Sequence, residues 1–283
     1  MKKVLFTSVL LATLLFGGDY EDGMKAYEVG DYKKATKILQ KASNQGVAEA
    51  QYNLGFMYAN GIGVKQNYKK AKSFWQKASD QGFVLAQYNL GFIYANGIGV
   101  KQNYKKAIEF YLKASNQGFA NAQCNLGLMY EDGLGVKQNY KKAIELYQKA
   151  SDQGFALAQF NLGIMYEDGL GVKQDYKKAV ELYKKASDQG NAQAQYNLGI
   201  MYIKGLGVKQ DYKKAKFFWQ KAADQGNAQA QYNLGIVYVK GLGVKQNYIK
   251  AKEFWQKAAD QGFSQAQSNI YRLCQAYSWV CTQ

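Results

Sequence analysis

Small and apolar residues return along this chain at helical spacing. Ala50, Leu54 and Tyr58 stand at i, i+4 and i+8, and Ala71, Trp75 and Ala78 stand at i, i+4 and i+7. These two runs predict two helices, A and B, of one hairpin. Between them lies Asn60-Gly61-Ile62-Gly63-Val64-Lys65-Gln66-Asn67, a loop whose glycines permit positive φ. Asn67 stands where an N-cap belongs, as Asp175 and Asp211 do in later copies. Gly82 closes helix B as a C-cap glycine and recurs at Gly118, Gly154, Gly190, Gly226 and Gly262. Gly55, Ala71 and Ala78 are small enough to let the paired helices approach, while Tyr58 and Trp75 fill the remaining volume.

The hairpin is repeated. Gln-Tyr-Asn-Leu-Gly at Gln51 returns at Gln87, Gln195 and Gln231, with single changes at Cys124 and Phe160, always in steps that are multiples of 36. Six full units begin at Ala48, Val84, Ala120, Ala156, Ala192 and Ala228. The predicted organisation is an irregular capping hairpin at 19–47, six repeats at 48–263, and a capping helix and tail at 264–283. Atypical ends are what a stacked array requires, because each internal unit hides its apolar face only against a neighbour. Residues 1–18 read as a signal peptide: Lys2 and Lys3 precede an uncharged apolar run from Val4 to Phe16, too short for the ~20 residues of a membrane span. The expected location is therefore secreted or periplasmic, with no transmembrane anchor after processing.

Composition narrows the chemistry. The chain has no His and no Pro among 283 residues. Missing proline agrees with helices punctuated by glycine alone. Missing imidazole excludes Ser-His and Cys-His catalysis and the usual catalytic zinc sites. The formal charge of +16 drops by two if Lys2 and Lys3 leave with the signal peptide.

The pattern Ala-x-Ala-Gln-Tyr-Asn-Leu-Gly-x-x-Tyr, then Gly-x-Gly-Val, then Lys-Ala and Lys-Ala-x-x-x-Gly, resembles the Sel-like (Sel1-like) repeat family, a relative of the tetratricopeptide repeat. The resemblance implies an all-α, right-handed superhelical solenoid of antiparallel hairpins that assembles other macromolecules. Within it the chain is most similar to the secreted, cysteine-rich bacterial Hcp-type proteins. Each repeat there is stapled by a disulfide between the end of helix B and the start of the next helix A. Here those positions hold Ser43 and Gln51, Ser79 and Gln87, Ser115 and Gln123, so the staples are missing. Some members of that branch are described as penicillin-binding or weak beta-lactamases, which implies an enzymatic alternative. Against it, the chain contains no Ser-x-x-Lys, Ser-Asp-Asn or Lys-Thr-Gly.

Positions that differ among the six copies are freed, on this reading, from holding hairpin to hairpin. In helix A they are Glu49, Tyr52, Phe56 and the pair Ala59-Asn60 with their counterparts, which fall on one stripe. In tetratricopeptide relatives the matching stripe faces a concave groove, and the resemblance carries that role to these positions. The candidate groove residues are Tyr52, Phe56, Tyr88 and Phe92, then Glu131, Asp132, Phe160, Glu167 and Asp168, then Tyr196, Lys204, Tyr232 and Lys240. A stripe that runs aromatic, acidic and then basic suits a protein or peptide partner, with rings for affinity and charge for register. No cofactor or metal is expected: helices pack about 8–10 Å apart, whereas cation–oxygen distances are about 2–2.6 Å. Helix B carries Lys65, Lys69, Lys70 and Lys77 in nearly every copy, a solvated face that favours a monomer and allows contact with anionic cell surfaces. Nucleic acid is not expected, because Arg272 is the single arginine.

Three cysteines leave at least one unpaired. Cys124 reads as a small buried side chain. Cys274 and Cys281, seven apart, would be separated by about 10.5 Å of rise on a continuous helix, so pairing them requires the helix to end near Tyr277 and the tail to fold back. A disulfide-closed cap is the expectation, with Trp279 and Val280 covering the last hairpin.

Overall fold

The computed structural model describes residues 18–281. The expected signal peptide lies, but for Gly18, outside them. The described residues form α-helices joined by short turns, and they fall into two compact units that meet in sequence at Gln117 and Gly118.

The first unit holds α1 (Asp19–Glu28), α2 (Tyr32–Asn44), α3 (Ala48–Asn60), α4 (Tyr68–Asp80), α5 (Val84–Asn96) and α6 (Tyr104–Asn116). The second holds α7 (Ala120–Asp132), α8 (Tyr140–Asp152), α9 (Ala156–Asp168), α10 (Tyr176–Asp188), α11 (Ala192–Lys204), α12 (Tyr212–Asp224), α13 (Ala228–Lys240), α14 (Tyr248–Ala259) and α15 (Ser264–Ala276), followed by a 3₁₀ turn at Ser278–Val280. Within each unit, successive helices pair as hairpins and each hairpin stacks on the next.

The expected boundaries follow from local chemistry. The Asn67 side chain accepts a hydrogen bond from the Lys70 amide at 3.0 Å, and Asn103, Asn139, Asp175, Asp211 and Asn247 cap their helices likewise. Asn191 and Asn227 add caps that the pattern did not suggest, at the starts of α11 and α13. The glycine in each helix A is required by its partner. A Cβ on Gly163 would stand 2.6 Å from the Tyr183 ring, which fills the space between α9 and α10. The second loop glycine is held by the preceding hairpin, since a Cβ on Gly171 would meet the Tyr140 Cβ at 2.6 Å.

The core of each hairpin after the first is one large ring on helix B among alanines and leucines, with Leu39 in its place in the first: Trp75 is 1% exposed, and Tyr147 and Tyr183 are fully buried. Burying such a side chain is worth roughly 2–3 kcal/mol by transfer. The missing disulfide staples have replacements. Gln51 Nε2 donates to the Ser43 carbonyl at 3.2 Å, and the same contact joins Gln159 to Ser151 and Gln195 to Ser187. Each of these glutamines also accepts from a second one on its own hairpin, as Gln51 does from Gln81 at 2.8 Å.

At the C-terminal end α15 stops at Ala276, and Cys274 is bonded to Cys281 with their Cα atoms 5.7 Å apart. The cap is closed as the spacing required. Val280 is buried beneath it, and the Lys252 ammonium donates to its carbonyl at 2.9 Å. Trp279 lies edge-on against Tyr248 of α14, at 6.4 Å between ring centroids, and stays half exposed. Tyr271, at the position of the packing glycine, is largely exposed because no ordinary helix B follows α15.

Candidate functional site

The stripe positions divide between the two units. Tyr52, Phe56, Tyr88 and Phe92 lie in the first, and Glu131, Asp132, Phe160, Glu167, Asp168, Tyr196, Lys204, Tyr232 and Lys240 in the second. Their environments differ more than their sequence positions suggest.

The aromatic positions serve hairpin packing as well as any partner. Tyr52 is 8% exposed, its ring 5.1 Å from Phe83, and burial pushes its phenol up to about 12 against a smaller opposing pull from Asn89 beside it. Tyr232 meets Phe263 in the same way at 5.0 Å, and its hydroxyl accepts from Asn269 of α15 at 3.3 Å. Tyr88 and Phe160 are half-buried against Tyr111 and Tyr183 at 5.8 Å. Phe56 and Phe92 are also half-buried. Cys124 occupies the Tyr52 position of α7, fully buried, with its thiol pushed up to about 12, chiefly by burial. Asn161 of the next hairpin donates to its sulfur at 3.8 Å. This asparagine, unchanged in every copy, therefore reaches back to whatever the preceding helix A places at the stripe.

The acidic positions separate into two kinds. Glu131 and Glu167 are half-buried, and they accept hydrogen bonds from the hydroxyls of Tyr147 and Tyr183 on the facing helix B. Burial raises both carboxyls above the ordinary glutamate value, and the tyrosine hydrogen bonds only partly offset it. Burial first, then the glutamate, pushes both phenols upward. Where helix B carries Trp in place of Tyr, the indole of Trp219 or Trp255 donates instead to the carbonyl of Tyr196 or Tyr232 at 3.0 Å, and the glutamate position holds Ile203 or Val239. The glutamates are thus partners of tyrosine inside the hairpin. Positions 16 apart carry only part of that signal, because Tyr111 in the second copy has Ala95 where Tyr147 and Tyr183 have glutamate.

What remains open on the second unit is a half-buried aliphatic row, Leu128, Ile164, Ile200 and Ile236, bordered by exposed Asp132, Asp168, Lys204 and Lys240. The sign of the border changes between the second and third of these helices, and Lys204 is close enough to act on the Glu167 carboxyl. Such a surface can seat apolar side chains and orient a charged chain; it presents no nucleophile paired with a base. Among the described residues no group of three or more Cys, Asp or Glu is placed to hold a metal ion, and no helix is long and apolar enough to cross a membrane.

The Sel1 repeat profile matches residues 10–47, 48–83, 84–119, 120–155, 156–191, 192–227 and 228–263, so it counts the irregular first hairpin as a seventh copy. A Sel1 repeat protein from Oxalobacter formigenes is 32% identical, with a TM-score of 0.78 over 86% of this chain and 97% of that one. A protective antigen of uropathogenic Escherichia coli with the same fold is 35% identical, with a TM-score of 0.85 over 90% of this chain and 56% of that one. A putative beta-lactamase, HcpE, from Helicobacter pylori is 49% identical over 41 residues, which is 14% of this chain and 12% of that protein.

Proposed function

The chain belongs to the Sel1 repeat family, whose members are typically protein-interaction scaffolds, and from that premise we propose that it is an exported adaptor holding a peptide or protein along the helix A stripe. One observation carries the reading: in the second unit half-buried aliphatic side chains at the same position of four successive A helices are edged by exposed charges that pass from Asp132 and Asp168 to Lys204 and Lys240. Apolar contact supplies affinity there, and the change of sign sets the direction of the bound chain. Export rests on the lysine pair and apolar run of residues 2–16. Periplasmic or culture-fluid recovery in cell fractionation tests it, and retention in the cytosol would overturn it.

The stripe is tested by placing a photo-crosslinking residue at Ile200 in the producing cell and, for comparison, at Gln220 on helix B. Discrete adducts are expected from Ile200. They should vanish when Asp132 and Asp168 are changed to Lys and Lys204 and Lys240 to Glu, substitutions that leave the Tyr–Glu pairs untouched. Adducts from Gln220 alone, or adducts indifferent to charge reversal, would overturn the proposal. The enzymatic alternative rests on the name of the Helicobacter relative, which is similar over little more than one repeat length. Nitrocefin turnover with a trapped acyl-enzyme would establish it.

A further inference from the structure

On the other face of the first unit, α4, the end of α5 and the start of α6 enclose an open cleft of about 980 Å³. Lys69, Lys72, Lys77, Lys101 and Lys106 line it, and none of the other lining residues carries a carboxylate. Five ammonium groups facing one cavity with no counter-charge repel one another and concentrate anions. The first turn of α6, capped by Asn103, opens into the same space and adds the positive end of its dipole.

The repeat provides its own comparison. Two repeats further on, the same positions bring in Glu145 for Ser73 and Asp175 for Asn103, Lys72 becomes Ile144, and Lys142 pairs with Glu145 at 2.9 Å. One repeat later Glu181 and Asp211 do the same, with Lys178 and Glu181 at 3.6 Å. Each of these sets holds four lysines against two carboxylates, so its charge falls from the +5 of the first cleft to +2. Four repeats on, the carboxylates are gone again: Lys213, Lys216, Lys221, Lys245 and Lys250 reproduce the first set, with Phe217 in place of Ser73. One repeat on from the first cleft Glu109 already stands for Ser73, so of the five such sets formed between full repeats only these two lack a carboxylate.

We propose that this carboxylate-free cleft of the first unit, and the matching lysine set of the second, bind a linear polyanion bearing phosphate or sulfate groups and no bases. The absence of arginine from the clefts fits point-charge contact with a mobile chain more than bidentate recognition. The aromatic side chain at the first cleft offers no platform for a base: Tyr94 is stacked on Phe110 at 5.8 Å and covered by the Lys106 ammonium at 5.3 Å, and at the second set the half-exposed Phe217 stands edge-on to Phe218 with the Lys221 ammonium over its ring at 4.9 Å.

The test measures binding of inorganic polyphosphate, heparin and a single-stranded oligodeoxynucleotide to the full chain as salt is raised. Polyphosphate or heparin should bind with steep salt dependence, and their ratio distinguishes phosphate from sulfate. Changing Lys69, Lys72, Lys101, Lys213, Lys216 and Lys245 to Gln should weaken binding at least tenfold and flatten the salt slope by about 0.7 per lost contact. A control that changes Lys141, Lys149, Lys173, Lys177, Lys185 and Lys209 to Gln removes the same charge from the carboxylate-bearing sets and should shift affinity less than threefold. In the unaltered protein, bound polyanion should protect Lys72 and Lys101 from amine acetylation ahead of Lys141 and Lys173. Equal loss in both variants, protection without preference, an oligodeoxynucleotide that binds as tightly as the polyanions, or no binding at low salt would each overturn the proposal.

Discussion

Glu131 and Glu167 show how much a side chain's role depends on what stands opposite it. Their carboxyls are raised by burial, so the folded state holds their protons more tightly than the unfolded chain does. Their contribution to stability is therefore complete below the unfolded glutamate value of about 4.5 and is lost as pH rises through the higher folded value. Changing both to Gln should remove this dependence. Thermal melts of the two proteins from pH 4 to 8 should show the unaltered chain losing stability relative to the variant as pH rises; a difference that stays flat would show that burial does not weigh on these groups. The charges of these glutamates are visible in the sequence, but their commitment is not. It resides in Tyr147 and Tyr183, sixteen residues away on another helix.

At the scale of the element, each hairpin from α3 onward is fastened by side chains at its corners: an Asn or Asp cap on helix B, a glycine that admits the facing ring, and a Gln pair at the junction with the preceding hairpin. The last hairpin lacks a following neighbour and is closed by the Cys274–Cys281 bond. Replacing both cysteines by Ser should release the 3₁₀ turn and uncover Val280. For so short a loop the chain-entropy relation gives roughly 2.5 kcal/mol. Hydrogen exchange should report the loss in α14 and α15 and leave α7 to α10 unchanged; a uniform change along the second unit would contradict the local role. The helix end was legible because rise per residue forbids the bond on a continuous helix. How far Trp279 would be buried was not, because that depends on Tyr248, which lies thirty-one residues away on α14 and takes only the edge of the indole.

At the scale of the molecule, each hairpin in a unit touches chiefly the ones beside it, so stability accumulates by nearest neighbours. Deleting residues 192–227 in frame joins Asn191 to Ala228 and restores a junction already present at Asn227, where Asn191 and Asn227 make the same cap. The shortened protein should remain helical and lose about 25 kcal/mol of unfolding enthalpy, near 0.7 kcal/mol per residue. Calorimetry checks this; a chain that no longer folds cooperatively would mean that distant hairpins depend on one another. The opposed surfaces, a helix A stripe with apolar and charged positions and a helix B face with lysine clefts, also belong to this scale.

By itself the sequence determined the helices, the caps of each helix B, the 36-residue period, the family and where the last helix must end if its two cysteines are to pair. Each follows from forces that act within a few residues or from a pattern copied six times. Only tertiary structure decided which stripe residues remain open. Tyr52 is taken up by the next hairpin and Glu131 by its own, while Asp132, one residue on, points to solvent. The reason is that variation among copies marks a position as free only if its partner does not vary with it. That partner lies on another helix, brought near by packing and not by spacing along the chain.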